Sequence, residues 1–139
     1  MNNIYATCVS LNKKGILLLG KSGSGKSDLA LRLIEQCGAV LVADDRTNLF
    51  VKNGELCASC PDNIKGLLEV RGVGIVKKKH LINTKIKLVA ELSEKEEQIE
   101  RLPTKEYTDI EGIKIRKIKV YPFEISAAYK VKLVCDELE

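Results

Sequence analysis

The spacing of apolar and polar positions predicts strands first and helices second. Ile4 to Leu11 reads as a strand and Asn12 to Gly15 as a turn. Gly15 to Leu19 then carries an unbroken aliphatic run, Ile16 to Leu19, the mark of a strand buried on both faces. After a glycine-rich segment, Leu29, Ala30, Leu33, Ile34 and Cys37 recur at helical spacing, which predicts an amphipathic helix stopped at Gly38. Ala39 to Ala43 is a second buried strand, closed by Asp44-Asp45. Thr47 to Val51 and Glu55 to Ser59 predict a hairpin around Asn53-Gly54, a dipeptide that tolerates positive φ. Pro61 to Leu68 reads as a short helix or turn leading into the segment Glu69 to Ile75. Ile86, Leu88, Ala90 and Leu92 alternate as a strand does, and Ser93 to Arg101 is a charged, solvated stretch. Ile113, Ile115, Ile118 and Val120 predict a late strand whose alternation slips once, at a bulge. Pro122 suits the first turn of a closing helix, Phe123 to Leu138. The expectation is one α/β domain over residues 1–139 with a mixed sheet, a helix after the glycine-rich loop and a C-terminal helix.

Composition narrows the function classes. The 139 residues are 45% hydrophobic and 30% charged, the balance of a globular chain rather than a disordered one. The longest charge-free stretch, Met1 to Asn12, is too short and too polar to span a membrane, and it lacks a secretory signal, so a cytoplasmic location is expected. Lys plus Arg outnumber Asp plus Glu by 23 to 19, too mild a surplus for a nucleic-acid surface, and 4% aromatics make a stacking platform for single strands improbable. An anionic partner, such as a phosphate-bearing ligand or an acidic protein, remains compatible with the charge. Cys57-Ala-Ser-Cys60 has half the spacing of a zinc site, but no second pair exists and His80 is the sole histidine. Buried thiols are the expectation there.

The chemistry concentrates in Gly20-Lys21-Ser22-Gly23-Ser24-Gly25-Lys26-Ser27, which fits G-x-x-x-x-G-K-[ST] at every fixed position. Glycines let successive N–H groups turn inward on a polyphosphate, and the helix that follows adds its N-terminal donors. Lys26 supplies a charge for the β- and γ-phosphates and Ser27 a hydroxyl for Mg²⁺. The loop lies between a buried strand and an amphipathic helix, the context that this chemistry requires.

A loop of this kind also needs carboxylates. Asp44-Asp45 ends the strand after the helix, so one aspartate can face a metal and the other an attacking hydroxyl as general base. Glu69 and Arg71 alternate with apolar residues and are followed by Gly72 and Gly74, a pattern for close backbone approach to a ligand. An ion pair at the surface accounts for Glu69 and Arg71 nearly as well.

Together the loop, Val42-Ala43-Asp44-Asp45 and Leu68-Glu69-Val70-Arg71-Gly72-Val73-Gly74-Ile75 resemble the C-terminal catalytic domain of HPr kinase/phosphorylase. Tyr121 to Ala127 resembles the short, single-domain version of that family. The resemblance implies a fold related to phosphoenolpyruvate carboxykinase and transfer of the ATP γ-phosphate to a serine of HPr, a phosphocarrier of the sugar phosphotransferase system. It implies Lys26 as the catalytic phosphate-binding lysine, Asp44 as the acid/base, Ser27 and Glu69 as metal ligands with Asp45 beside them, and Asp45 and Arg71 as further active-site residues. Full-length members form hexamers, which leaves a homo-oligomer open. Two departures narrow the implied activity to the kinase direction. Tyr5 stands where the family has a histidine, and no Gly-Arg-Asn segment occurs near the C-terminus. Lys77-Lys78-Lys79 is a candidate dock for an acidic carrier face, although such a run is ordinarily a solvated turn. The competing readings are a non-catalytic nucleotide sensor and a P-loop kinase acting on a small alcohol.

Overall fold

The computed structural model describes residues 1–139. The elements are β1 (Asn2–Tyr5), β2 (Thr7–Leu11), β3 (Lys14–Leu19), α1 (Lys26–Cys37), β4 (Val40–Ala43), β5 (Arg46–Lys52), β6 (Glu55–Ser59), β7 (Leu67–Val70), β8 (Gly74–Lys77), β9 (Asn83–Leu92), β10 (Glu106–Ile110), β11 (Ile113–Val120) and α2 (Ala127–Glu137). The main sheet is mixed, in the order β1-β5-β6-β9-β3-β2-β4, with β11 also against β9 and β10 beyond it. A separate two-stranded sheet, β7-β8, stands beside it.

Two cores explain the apolar runs. Val9, Leu11, Ile16, Leu18, Leu88 and Ala90 pack beneath α1 and α2, against Leu29, Leu33, Ala128 and Val131. Alternate residues of the same strands, Cys8, Leu17 and Val89, face the other way, onto Leu49, Leu56 and Ala58 of β5 and β6. β3 has a core on each side, so Ile16 to Leu19 is an unbroken aliphatic run. Each fully buried leucine contributes about 1.5–3 kcal/mol of transfer free energy, which makes this double core the firm part of the molecule.

Several expectations need correction in detail. The first strand breaks at Ala6 into β1 and β2, because β1 pairs with β5 whereas β2 pairs with β3 and β4. In β9, Ile86 does not share a face with Leu88: Gly15 and Ile16 pair with Ile86 and Leu88, and the extra residue Lys87 flips the parity. Gly15 is required at that point, since a Cβ there would stand 2.6 Å from the Lys85 carbonyl. The slip in β11 needs no bulge. Ile115 belongs to the β5-β6 core and Val120 to the helix core, which are opposite faces of one regular strand. Strand β10, which pairs with β11 around Glu111-Gly112, was not anticipated from the pattern.

The closing helix begins at Ala127, four residues later than Pro122 and Phe123 suggest. The carbonyls of Pro122 and Glu124 accept instead from the Arg32 guanidinium of α1, which ties the segment down as a turn. The Asn53-Gly54 hairpin forms as expected, with φ of 53° and 74°. Gly38 closes α1 in the left-handed conformation, the N–H at the cap donating to the Leu33 carbonyl.

Candidate active site

Strand β2 is antiparallel to both β3 and β4, so β3 and β4 run in the same direction and release their chains at one edge of the sheet. From β3 the chain enters the glycine-rich loop, and from β4 it enters Asp44-Asp45. The loop turns at Ser24, whose N–H donates to the Lys21 carbonyl at 3.0 Å. Gly23 and Gly25 hold φ of 79° and 102°, a region that side chains rarely adopt. Gly25 precedes α1 with no side-chain cap, so the first-turn N–H donors of the helix are left for a ligand.

Lys26 is only 7% exposed. Its ammonium donates to the Gly20 carbonyl at 2.6 Å and the Lys21 carbonyl at 3.1 Å. It takes part in none of the ion pairs of the chain. A buried cation supported by carbonyls alone is electrostatically incomplete, because buried charges are normally paired. The Ser24 hydroxyl is also buried without a partner.

The two aspartates have different surroundings. Asp44 is 7% exposed, and both its carboxylate oxygens are engaged. Oδ1 accepts from Ser27 Oγ at 2.6 Å and from Thr7 Oγ1 at 3.0 Å, while Oδ2 accepts from the Glu69 backbone N–H at 3.1 Å. Asp45 is exposed and lines the cleft. Its φ of 67° is uncommon for a residue with a Cβ, and its turn is closed by the Arg46 N–H donating to the Asp44 carbonyl at 2.8 Å. The Thr7 hydroxyl, which accepts from the Asp45 N–H at 3.2 Å, ties the two together. The oxygens of Asp44 are thus engaged by three donors, whereas Asp45 lies exposed on the cleft.

A cleft of about 570 Å³ runs between two walls. One wall is Ser22, Gly23, Gly25, Lys26, Ser27 and Asp28; the other is Asp45, Glu69, Val70 and Arg71, with Leu31 and Phe123 at the margin. The volume is in the range of small-ligand sites. Gly20 and Lys21 sit behind the loop, accepting from Lys26, and the Lys21 side chain is turned outward toward Glu94 at 3.5 Å.

These residues fit a polyphosphate with Mg²⁺. Ser27 donates its proton to Asp44, which leaves its lone pairs for a cation, and Asp45 and Glu69 are hard oxygen donors on the cleft. No three His, Cys, Asp or Glu side chains converge into a cage.

Other singled-out residues fall outside the cleft. Tyr5 is 65% exposed at the end of β1, its hydroxyl accepting from Arg46 at 2.8 Å and its ring covered by the same guanidinium at 3.9 Å. Cys57 and Cys60 are buried free thiols, and burial pushes the Cys60 thiol above its ordinary range, with the nearby Asp44 charge adding to the effect. Lys78 pairs with Glu35 of α1, so only Lys77 and Lys79 of the basic run are free. Thr7, Asp28, Leu31 and Phe123 were not expected at the site. Thr7 left one sequence signal, a hydroxyl inside an otherwise apolar strand.

The HPr Serine kinase C-terminal domain family matches residues 1–136. The chain belongs to this family. The HPr kinase/phosphorylase of Leptothrix cholodnii is 38% identical over 118 residues, and that of Cupriavidus necator 39% identical over 117; each alignment covers 76% of this chain and 36% of the relative. The chain thus spans about a third of the length of the curated relatives it matches. The Hpr(Ser) kinase/phosphatase of Coxiella burnetii superposes with a TM-score of 0.84 at 27% identity, covering 99% of this chain and 90% of that one. The HPr kinase fold is therefore the fold of this chain, an α/β arrangement with a mixed sheet and two helices. No helix is long and apolar enough to cross a membrane.

Proposed function

We propose that residues 1–139 form one catalytic unit, an ATP- and Mg²⁺-dependent protein-serine kinase that phosphorylates an HPr-type phosphocarrier in the cytoplasm. The observation that carries this reading is Lys26: a buried ammonium at the mouth of a glycine-rich loop, satisfied by carbonyls and lacking any anion. A γ-phosphate supplies that anion. Membership of the HPr serine kinase family supports the reaction class.

The division of labour follows from the site. The main-chain amides from Ser22 to Ser27 cradle the phosphates and Lys26 neutralises the charge that spreads onto the transferred group. Ser27 and the carboxylates of Asp45 and Glu69 would hold Mg²⁺, which would offset the phosphate charge. Asp44 acts at one remove, fixing Ser27 through Oδ1 and the start of the Glu69-Arg71 segment through Oδ2. Asp45, on the open side, accepts the proton of the incoming serine hydroxyl. Arg71, across the cleft, steadies the transferring group. Tyr5 offers little to the reverse reaction, because its hydroxyl and ring are both occupied by Arg46.

Incubation with labelled ATP, Mg²⁺ and HPr tests the reading directly. Phosphoserine on HPr is the expected product. Tight ATP binding without transfer to HPr or to small alcohols would favour the nucleotide sensor, for which the occupied Tyr5 is the supporting observation.

A further inference from the structure

Phosphate binding leaves one cleft residue without a task. Phe123 lines the cleft beside the loop, yet the residue is 59% exposed. An aromatic ring left in water is disfavoured unless something covers it. The ring is nonetheless fixed in place. Its Cε1 and Cζ lie 3.2 and 3.3 Å from where a Cβ on Gly25 would stand, so the ring edge rests on the loop. Tyr121 meets it nearly at right angles, with centroids 5.8 Å apart. The turn that carries it is bound to α1 by Arg32, which donates to the carbonyls of Pro122 and Glu124 and pairs with Asp28 at 3.0 Å. Leu31 adds a second apolar surface to the same margin.

An exposed ring held rigidly where α1 begins is a platform waiting for a flat partner. We propose that Phe123 stacks the nucleobase of the triphosphate whose phosphates lie in the glycine-rich loop, so that this residue separates a nucleotide from bare polyphosphate. The inference rests on the phosphate-binding reading above. Stacking uses the π-face that every base has, so it favours ATP and GTP alike over inorganic tripolyphosphate.

Titration calorimetry with Mg²⁺-ATP and Mg²⁺-tripolyphosphate tests it on wild type and Phe123→Ala. Wild type should bind ATP roughly ten-fold tighter than tripolyphosphate, and Phe123→Ala should remove most of that gap while leaving tripolyphosphate affinity unchanged. The chain contains no Trp, so Phe123→Trp installs a single tryptophan, which is excited selectively over the four tyrosines. Its emission should be quenched by ATP and not by tripolyphosphate. A gap that survives Phe123→Ala, or Phe123→Trp emission indifferent to ATP, overturns the stacking role while the phosphate cradle stands. Failure of wild type to bind either ligand overturns the cradle, and the platform with it.

Discussion

The two walls of the cleft are built differently. The loop wall stands on the double core: Leu17, Leu18, Leu29 and Val42 behind it are fully buried, Ser27 and Thr7 both donate to Asp44, and Lys26 is held by the Gly20 and Lys21 carbonyls. The opposite wall, the β7-β8 hairpin, is a two-stranded sheet with Arg71, Gly72, Val73, Gly74 and Ile75 exposed. Beneath it Leu68 is buried, and the Glu69 N–H ties it to Asp44. An isolated two-stranded ribbon is marginally stable by itself, so this wall depends on its anchors. On the function proposed above, the firm loop wall grips the phosphates and the hairpin meets the protein acceptor.

The sharpest way to break that comparison is Lys26→Ala. It should abolish transfer to HPr and weaken nucleotide binding by at least about 100-fold, since an ammonium to phosphate contact in a dry cradle is lost. Wild-type affinity in calorimetry would remove the gripping role of the loop wall. Next in size, Asp45→Asn should lower the transfer rate by about 10²–10⁴, as expected of a lost general base, and raise the Mg²⁺ concentration needed for binding, as expected of a lost metal ligand. Asp44→Asn should instead lower the unfolding free energy by about 1–3 kcal/mol and weaken the Mg²⁺ dependence of binding, because it disturbs buried hydrogen bonds. If urea melts of Asp44→Asn match wild type and its rate falls like that of Asp45→Asn, the two roles must be exchanged.

The hairpin side gives a smaller effect. Replacing Lys77 and Lys79 together by Ala should raise the KM for the carrier several-fold and leave nucleotide affinity alone. Equal weakening of both would mean that the run is not a dock. The smallest effect lies behind the firm wall. Burial pushes the Cys8 thiol far above its ordinary range, so the folded chain keeps a proton that the unfolded chain releases at high pH. That contribution is complete below the ordinary thiol pKa and is lost as pH rises above it. The Tm of wild type should therefore decline between about pH 8 and 10, and Cys8→Ala should decline less steeply; parallel slopes would show that Cys8 carries none of it.

Much of this site could be read from the residues alone, because its signals are local. Gly20 to Ser27 specifies its own conformation: glycines at positive φ, a helix start without a cap, and a lysine at fixed distance along the chain. The aliphatic run of β3 likewise announced a strand with a core on each side. What differed was decided by partners far apart in sequence. Which of two adjacent aspartates faces the cleft depends on Thr7, some 37 residues away, and on the Glu69 backbone. The start of α2 depends on Arg32 capturing carbonyls 90 residues later. The parity of β9 and β11 depends on which core each half strand meets. A residue pattern encodes the backbone that its own neighbours favour, whereas the aim of a buried carboxylate is set by whichever donors the finished fold brings to it.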